Sequence, residues 1–252
     1  MKKLKIQGGH TLSGEVSISG SKNAALSVIA AAIMTEKKVV LENIPHLEDI
    51  TTMIRLVAGM GVSITLTDDR RLILDSSKIG NFLAPYDLVK TMRASFYVMG
   101  PLLGRFGEAR VSLPGGCAWG PRPVDYHLRG FEKLGAKITL KDGYIREKAK
   151  KLKGADINVE IPSVGEKANI AMAAVLAEGT TRIINAAAEP HIVQLCETLN
   201  SMGAEIEGIG SNNLIIHGVK SLNTFEVSII SDMIEAGTFL MAGASLGDIT
   251  ID

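Results

Sequence analysis

Apolar residues recur at helical spacing in three separate stretches, 50–58, 126–133 and 192–201, and a glycine closes each one. Those glycines, Gly61, Gly135 and Gly203, stand 74 and 68 residues apart. A glycine at such a place reads as the left-handed residue that ends a helix before a strand. Two short alternating runs follow in every case: 63–67 with 71–74, 137–140 with 144–147, and 205–209 with 213–217. These predict paired strands. Upstream, an alternating run at 14–19 leads into the apolar stretch 24–34, which predicts a strand entering a buried helix.

A second echo strengthens the repeat. Thr35-Glu36-Lys37-Lys38-Val39-Val40-Leu41-Glu42-Asn43 parallels Ala177-Glu178-Gly179-Thr180-Thr181-Arg182-Ile183-Ile184-Asn185, and both asparagines precede their closing glycine by 18 residues. Each unit therefore reads strand, helix, strand, helix, strand, strand, in roughly 70 residues. The pattern opens a fourth time, with a strand at 227–230, a helix at 232–244 and a further start at 245–251. Three units and the opening of a fourth lead us to expect a shortened form of a longer protein.

Composition narrows the class. Apolar residues make up 46% and charged residues 21%, which excludes disorder for the bulk of the chain. Lys plus Arg and Asp plus Glu number 27 each, so no basic excess points to nucleic acid, and any anion site must be local. The longest apolar stretch, 24–34, is too short to cross a bilayer, and residues 1–10 hold no signal-peptide core. With two cysteines, Cys117 and Cys196, a reducing cytoplasm is the expected compartment. His10, His46, His127, His191 and His217 show no metal-ligand spacing with either cysteine, so neither metal nor cofactor is expected.

Four segments are able to carry chemistry. Gly20-Ser21-Lys22-Asn23-Ala24 sits at a helix start, where free N–H groups, the helix dipole and the Lys22 charge favour an anion; a solvated lysine on a Ser21-capped helix is the alternative. Leu113-Pro114-Gly115-Gly116-Cys117-Ala118-Trp119-Gly120-Pro121-Arg122-Pro123-Val124-Asp125 must be a loop. Cys117 in its middle is a candidate reactive thiol, its thiolate favoured by Arg122, whereas Trp119 reads as a hydrophobic anchor. Lys90-Thr91-Met92-Arg93-Ala94-Ser95 opens another apolar helix, with Arg93 either a phosphate ligand or a surface ion pair. Pro162-Ser163-Val164-Gly165 is a turn before a helix at 169–176, with N–H groups able to hold an anion. Cys196, on an apolar helix, reads as core.

Together these segments resemble the UDP-N-acetylglucosamine enolpyruvyl transferases (1-carboxyvinyltransferases) of bacterial peptidoglycan synthesis. The matching pieces are the Lys22 and Arg93 segments, Pro114-Gly115-Gly116-Cys117, Gly120-Pro121-Arg122-Pro123-Val124-Asp125, Ser163-Val164-Gly165, Ala177-Glu178-Gly179-Thr180-Thr181 and Ile234-Glu235-Ala236-Gly237-Thr238-Phe239. The cysteine loop is specific to that group; the lysine motif is shared with the related shikimate-pathway enzyme. The resemblance implies an inside-out α/β barrel of βαβαββ repeats, about three and a half of them here. A first domain would span 22–228, with 1–21 and 229–252 belonging to a partial second domain and substrates between the two.

The reaction implied is transfer of enolpyruvyl from phosphoenolpyruvate to the 3-hydroxyl of UDP-N-acetylglucosamine, by addition and elimination through a tetrahedral ketal. Cys117 matches the general acid. Lys22 matches the phosphoenolpyruvate lysine and Asn23 its neighbour at the sugar. Arg93 and Arg122 match arginines on the phosphates; Pro123, Val124, Asp125 and Tyr126 match the uridine strip; Ser163, Val164 and Gly165 match the diphosphate turn. Ile161 and Met233 stand where members carry basic residues. The aspartate base and one phosphoenolpyruvate arginine would fall after Asp252, so this chain alone is expected to be inactive or nearly so. Two rivals remain: a shikimate-type enolpyruvyl transferase, against which Cys117 and residues 122–125 argue, and a noncatalytic nucleotide-sugar-binding fragment. The partners implied are small molecules, with no nucleic acid or membrane; the oligomeric state is left open.

Overall fold

The computed structural model describes residues 3, 5–68, 71–113, 124–159, 164–186 and 188–252. In chain order the elements are β1 (Leu12–Val16), α1 (Lys22–Ala31), β2 (Lys38–Glu42), α2 (Glu48–Met60), β3 (Ser63–Leu66), β4 (Leu72–Asp75), β5 (Leu83–Ala84), α3 (Tyr86–Val89), α4 (Met99–Phe106), β6 (Glu108–Ser112), α5 (Asp125–Lys133), β7 (Lys137–Lys141), β8 (Tyr144–Lys148), β9 (Asp156–Asn158), α6 (Val164–Val175), β10 (Thr180–Ile184), α7 (Pro190–Ser201), β11 (Glu205–Glu207), β12 (Asn213–His217), β13 (Glu226–Ser228), α8 (Met233–Leu246) and β14 (Gly247–Ile251). A 3-10 turn, Arg93–Val98, leads into α4.

Three four-stranded sheets share one topology. Their orders are β13-β2-β4-β3, β5-β6-β8-β7 and β9-β10-β12-β11. In each the first pair is parallel and the other two are antiparallel. The repeat read from glycine spacing is thus a repeat of structure. Gly61, Gly135 and Gly203 have φ of 108°, 91° and 98°, the left-handed conformation that side chains disfavour.

Helices fill the middle and sheets form the outside. In α1 every residue from Ala24 to Ala31 is buried, and in α6 every residue from Glu166 to Val175. Apart from Glu166, Lys167 and Asn169 of α6 these stretches are almost wholly apolar, and a helix without a polar face to give to water goes to the centre. The strands alternate instead, β10 exposing Thr180, Arg182 and Ile184 while burying Thr181 and Ile183. Small residues let the central helices approach: a Cβ at Gly100 of α4 would overlap the Asn169 carbonyl of α6. This is the inside-out α/β barrel arrangement.

Two sequence expectations change. The strand expected at 227–230 to open a fourth unit is β13, Glu226–Ser228, and the strand expected at 14–19, among the residues assigned to a partial second domain, lies at Leu12–Val16. It pairs in parallel with β14 in a separate two-stranded sheet. The leading strand of the first unit is β13, which lies parallel to β2. The first repeat is therefore closed by residues more than 180 positions downstream, Glu226 lying opposite Val40. Periodicity carries no information on such long-range pairing. Among the described residues, no helix is long and apolar enough to cross a membrane.

Candidate active site

Helix α1 begins where the sequence places its cap. Ser21 is extended at φ −63°, ψ 119°, and its hydroxyl accepts from the Ala24 N–H. The Lys22 N–H donates to Asp232 Oδ2 at 3.1 Å. Asp232 caps α8 in the same way, accepting from Ile234 and Glu235, so one carboxylate ties the starts of α1 and α8 together. Those backbone bonds hold the Asp232 carboxyl below its ordinary range against the opposing effect of burial. The Lys22 ammonium is half-exposed and meets Asp49 at 3.0 Å.

Lys22 and Asn23 border a cleft of about 530 Å³. Thr91, Met92 and Arg93 line it from the turn before α4, Val124 from the start of α5, Val164 and Gly165 from the start of α6, and His191 from the start of α7. The N-terminal ends of four helices thus face one space, together with two permanent cations. Unpaired N–H groups and the helix dipoles make such a place attractive to anions. The opposite pole holds a cleft of about 610 Å³ lined by Lys37, Arg105, Lys150, Lys151 and Lys220. There helices end, and Arg105 Nη1 donates to the carbonyls of Ile33, Thr35 and Ser76 at 2.7, 3.0 and 3.1 Å. Cations at that pole answer carbonyl ends; cations at the first pole sit beside N–H ends.

The floor of the first cleft is fixed by Asn169. Its amide donates to the Phe96 carbonyl at 2.9 Å and to His127 Nδ1 at 3.1 Å, and its Oδ1 accepts from the Gly100 N–H at 2.9 Å. His127 is buried, and desolvation, reinforced by Arg93, pushes its pKa down to about 4. It is therefore neutral with the proton assigned to Nε2, beside Gly165. Tyr97, on the same wall, is pushed up to about 12 by burial, against the opposing pull of Arg93.

The structure brings Lys22, Asn23, Arg93, Val124, Val164 and Gly165 together in one cleft, although they are far apart in sequence. Among the described residues Arg93 makes no ion pair. Asp125 and Tyr126 lie on the first turn of α5, outside the lining residues; Tyr126 stacks loosely with Arg129 at 5.9 Å. Cys117, Trp119, Arg122, Pro123, Ile161 and Ser163 lie outside the described residues. Cys196 is buried as expected, its thiol pushed up to about 12 by burial first and Glu197 second.

The sequence profile of EPSP synthase (3-phosphoshikimate 1-carboxyvinyltransferase) matches residues 6–252. The chain belongs to that family. It is 50% identical over all 252 residues to the UDP-N-acetylglucosamine 1-carboxyvinyltransferase of Magnetococcus marinus, and spans 60% of that relative's length. Among solved structures it resembles the enolpyruvyl transferase NikO from Streptomyces tendae, with TM-score 0.85 and 26% identity over 98% of this chain and 59% of that one. An EPSP synthase from Acinetobacter baumannii shares the fold at TM-score 0.76 and 20% identity, over 97% of this chain and 56% of the other.

Sequence reasoning missed Asp49, Asp232 and His191. Asp49 engages Lys22 from the second helix of the same unit and Asp232 from the segment before α8, and no local signal announces either. The sequence raises His191 only as a metal ligand without the required spacing.

Proposed function

We propose that this chain forms the Cys-loop-bearing portion of an enolpyruvyl transferase that joins phosphoenolpyruvate to the 3-hydroxyl of UDP-N-acetylglucosamine with release of phosphate. The observation that carries this reading is the convergence of Lys22, Asn23, Arg93, Val124, Val164 and Gly165 on one cleft at the positive ends of four helices. Both substrates are phosphorylated, and fixed cations and N–H groups are the means of holding phosphate without reorganisation. The half-identity to the Magnetococcus marinus relative favours the nucleotide sugar over shikimate phosphate.

In this reading Lys22 grips the phosphoenolpyruvate phosphate, with Asp49 holding the ammonium in place until the anion arrives. Asn23 contacts the sugar. Arg93 and Arg122 neutralise phosphates, Ser163, Val164 and Gly165 offer the diphosphate turn, and Pro123, Val124, Asp125 and Tyr126 receive uridine. Cys117 delivers the proton to the enolpyruvyl methylene as general acid. The protein acts in the cytoplasm, at the first committed step of peptidoglycan synthesis, and fosfomycin is expected to alkylate Cys117 because its phosphonate imitates the phosphate held by Lys22 and Arg122.

Calorimetry tests the reading. Saturable binding of UDP-N-acetylglucosamine and silence toward shikimate 3-phosphate is the expected result. Binding of shikimate 3-phosphate would favour the shikimate-type reaction, and silence toward both would reject a substrate site here.

A further inference from the structure

Helix α7 enters the cleft differently from α1. Its first turn is Pro190-His191-Ile192-Val193, and the Ile192 and Val193 N–H groups already return to the Glu189 carbonyl at 2.8 and 3.1 Å. Pro190 has no N–H to offer. What α7 presents to the cleft is the His191 side chain. His191 is 5% exposed and lines the cleft, and its Nε2 is buried without a hydrogen-bond partner among the described residues. A buried imidazole nitrogen left unpaired is destabilising and calls for an explanation.

The neighbours of His191 define what would satisfy it. Glu189 precedes it on the lead into α7, and Asp232 faces it from the segment before α8; both favour its charged form, and burial outweighs them, holding the pKa below the ordinary value. Lys167 of α6, 1% exposed and with no partner for its Nζ among the described residues, also feels Glu189. Among the described residues, Lys22, Arg93, Asp49, Tyr97 and the neutral His127 complete the charged and titratable groups around the cleft. Helices α1 and α7 pack side by side, and Asp232, which receives the Lys22 N–H at 3.1 Å and caps α8, lies close enough to His191 to favour its charged form.

We propose that His191 is a second anion contact beside Lys22, a positioning residue whose Nε2–H donates to a phosphate or carboxylate oxygen seated between the starts of α1 and α7. This rests on the reading of the cleft as the substrate site and adds a residue that the sequence motifs leave out. An anion there adds the negative charge that burial alone withholds, so the imidazole takes up a proton as the anion binds, and the anion is then held by a charge-assisted bond.

The experiment is an NMR titration of the histidine ring signals of the 252-residue chain, with and without sulfate, which carries no titrating proton near neutral pH. The His191 signals are assigned by their loss in His191→Gln. Sulfate is expected to raise the His191 midpoint by about one pH unit or more. His191→Gln should weaken sulfate and phosphoenolpyruvate binding about tenfold. An unmoved His191 midpoint, or no measurable sulfate binding, overturns the proposal; if His191→Gln does not fold, His191→Asn supplies the assignment and the titration of the parent chain decides. UDP-N-acetylglucosamine binding measured in the same samples separates the two readings. Its persistence with an unmoved His191 rejects the anion contact and spares the substrate site, and its absence rejects the substrate site.

Discussion

Glu147 lies on β8 at 1% exposure, and neither of its carboxylate oxygens has a hydrogen-bond partner among the described residues. Burial pushes its pKa up to about 8 from 4.5. The unfolded chain ionises near 4.5 while the folded chain holds the proton, so this residue lowers stability as pH rises from 4.5 to 8. The slope is at most about 1.4 kcal/mol per pH unit. His127 works in the opposite direction: its folded pKa of about 4 lies below the ordinary 6.5, so its contribution is whole above 6.5 and is lost as pH falls toward 4. Chemical denaturation across pH 4–9 should show Glu147→Gln abolishing the loss of stability between pH 4.5 and 8. A slope unchanged in that variant would mean Glu147 ionises freely in the folded state. At this scale the sequence was least legible, because Glu147 occupies one of the alternating positions of a strand whose outer neighbours, Arg146 and Lys148, are also charged. Lys22 and Arg93 were legible, since a cation at a helix start is a local pattern.

Among the elements, α4 and α6 carry the most demanding contact. Gly100 and Gly104 of α4 lie against Asn169 and Ala173 of α6, and the Asn169 amide bridges to Phe96 and His127. Gly100→Ala should therefore cost about 1–3 kcal/mol in denaturant unfolding, the usual range for overpacking, and should raise the His127 pKa by disturbing the seat of its ring. Asn169→Leu removes the bridge while leaving Gly100 N–H and His127 Nδ1 buried without partners, and a loss of about 2 kcal/mol or more is expected. If either variant unfolds like the parent, the asparagine bridge does not organise the cleft floor. Helix and strand existence was readable here: the boundaries of α5 and β12 differ from the sequence expectation by one residue or none. The glycine-terminated helices were readable because left-handed backbone leaves a mark in one residue. The pairing of β13 with β2 and of β1 with β14 was not, because strand partners more than 180 residues apart share no local pattern.

Across the whole molecule, burial is uneven. The three repeats enclose the central helices, whereas α8 has no buried residue and shows Met233, Ile234, Leu240, Met241 and Leu246 to the outside. Together with β1 and β14 it forms the least supported part of the described structure, and its amides should exchange with solvent well before those of α1 and α6. Leu240→Glu should leave denaturant stability within about 0.5 kcal/mol of the parent, as surface substitutions do. The same substitution should reduce self-association in sedimentation at high concentration. A large loss of stability would show that this helix is packed more deeply than its exposure indicates. At this scale the repeat count came from periodicity and the helices-inside arrangement from the family resemblance alone; the placement of the cleft at the N-terminal pole came only from the assembled fold.

That placement is the central claim, and hydrogen exchange with and without saturating UDP-N-acetylglucosamine reads it directly. Added protection is expected at the starts of α1, α5 and α6, with the helix ends around Arg105 and Lys220 unchanged. Protection concentrated around Arg105 and Lys220, or none anywhere, would contradict the account.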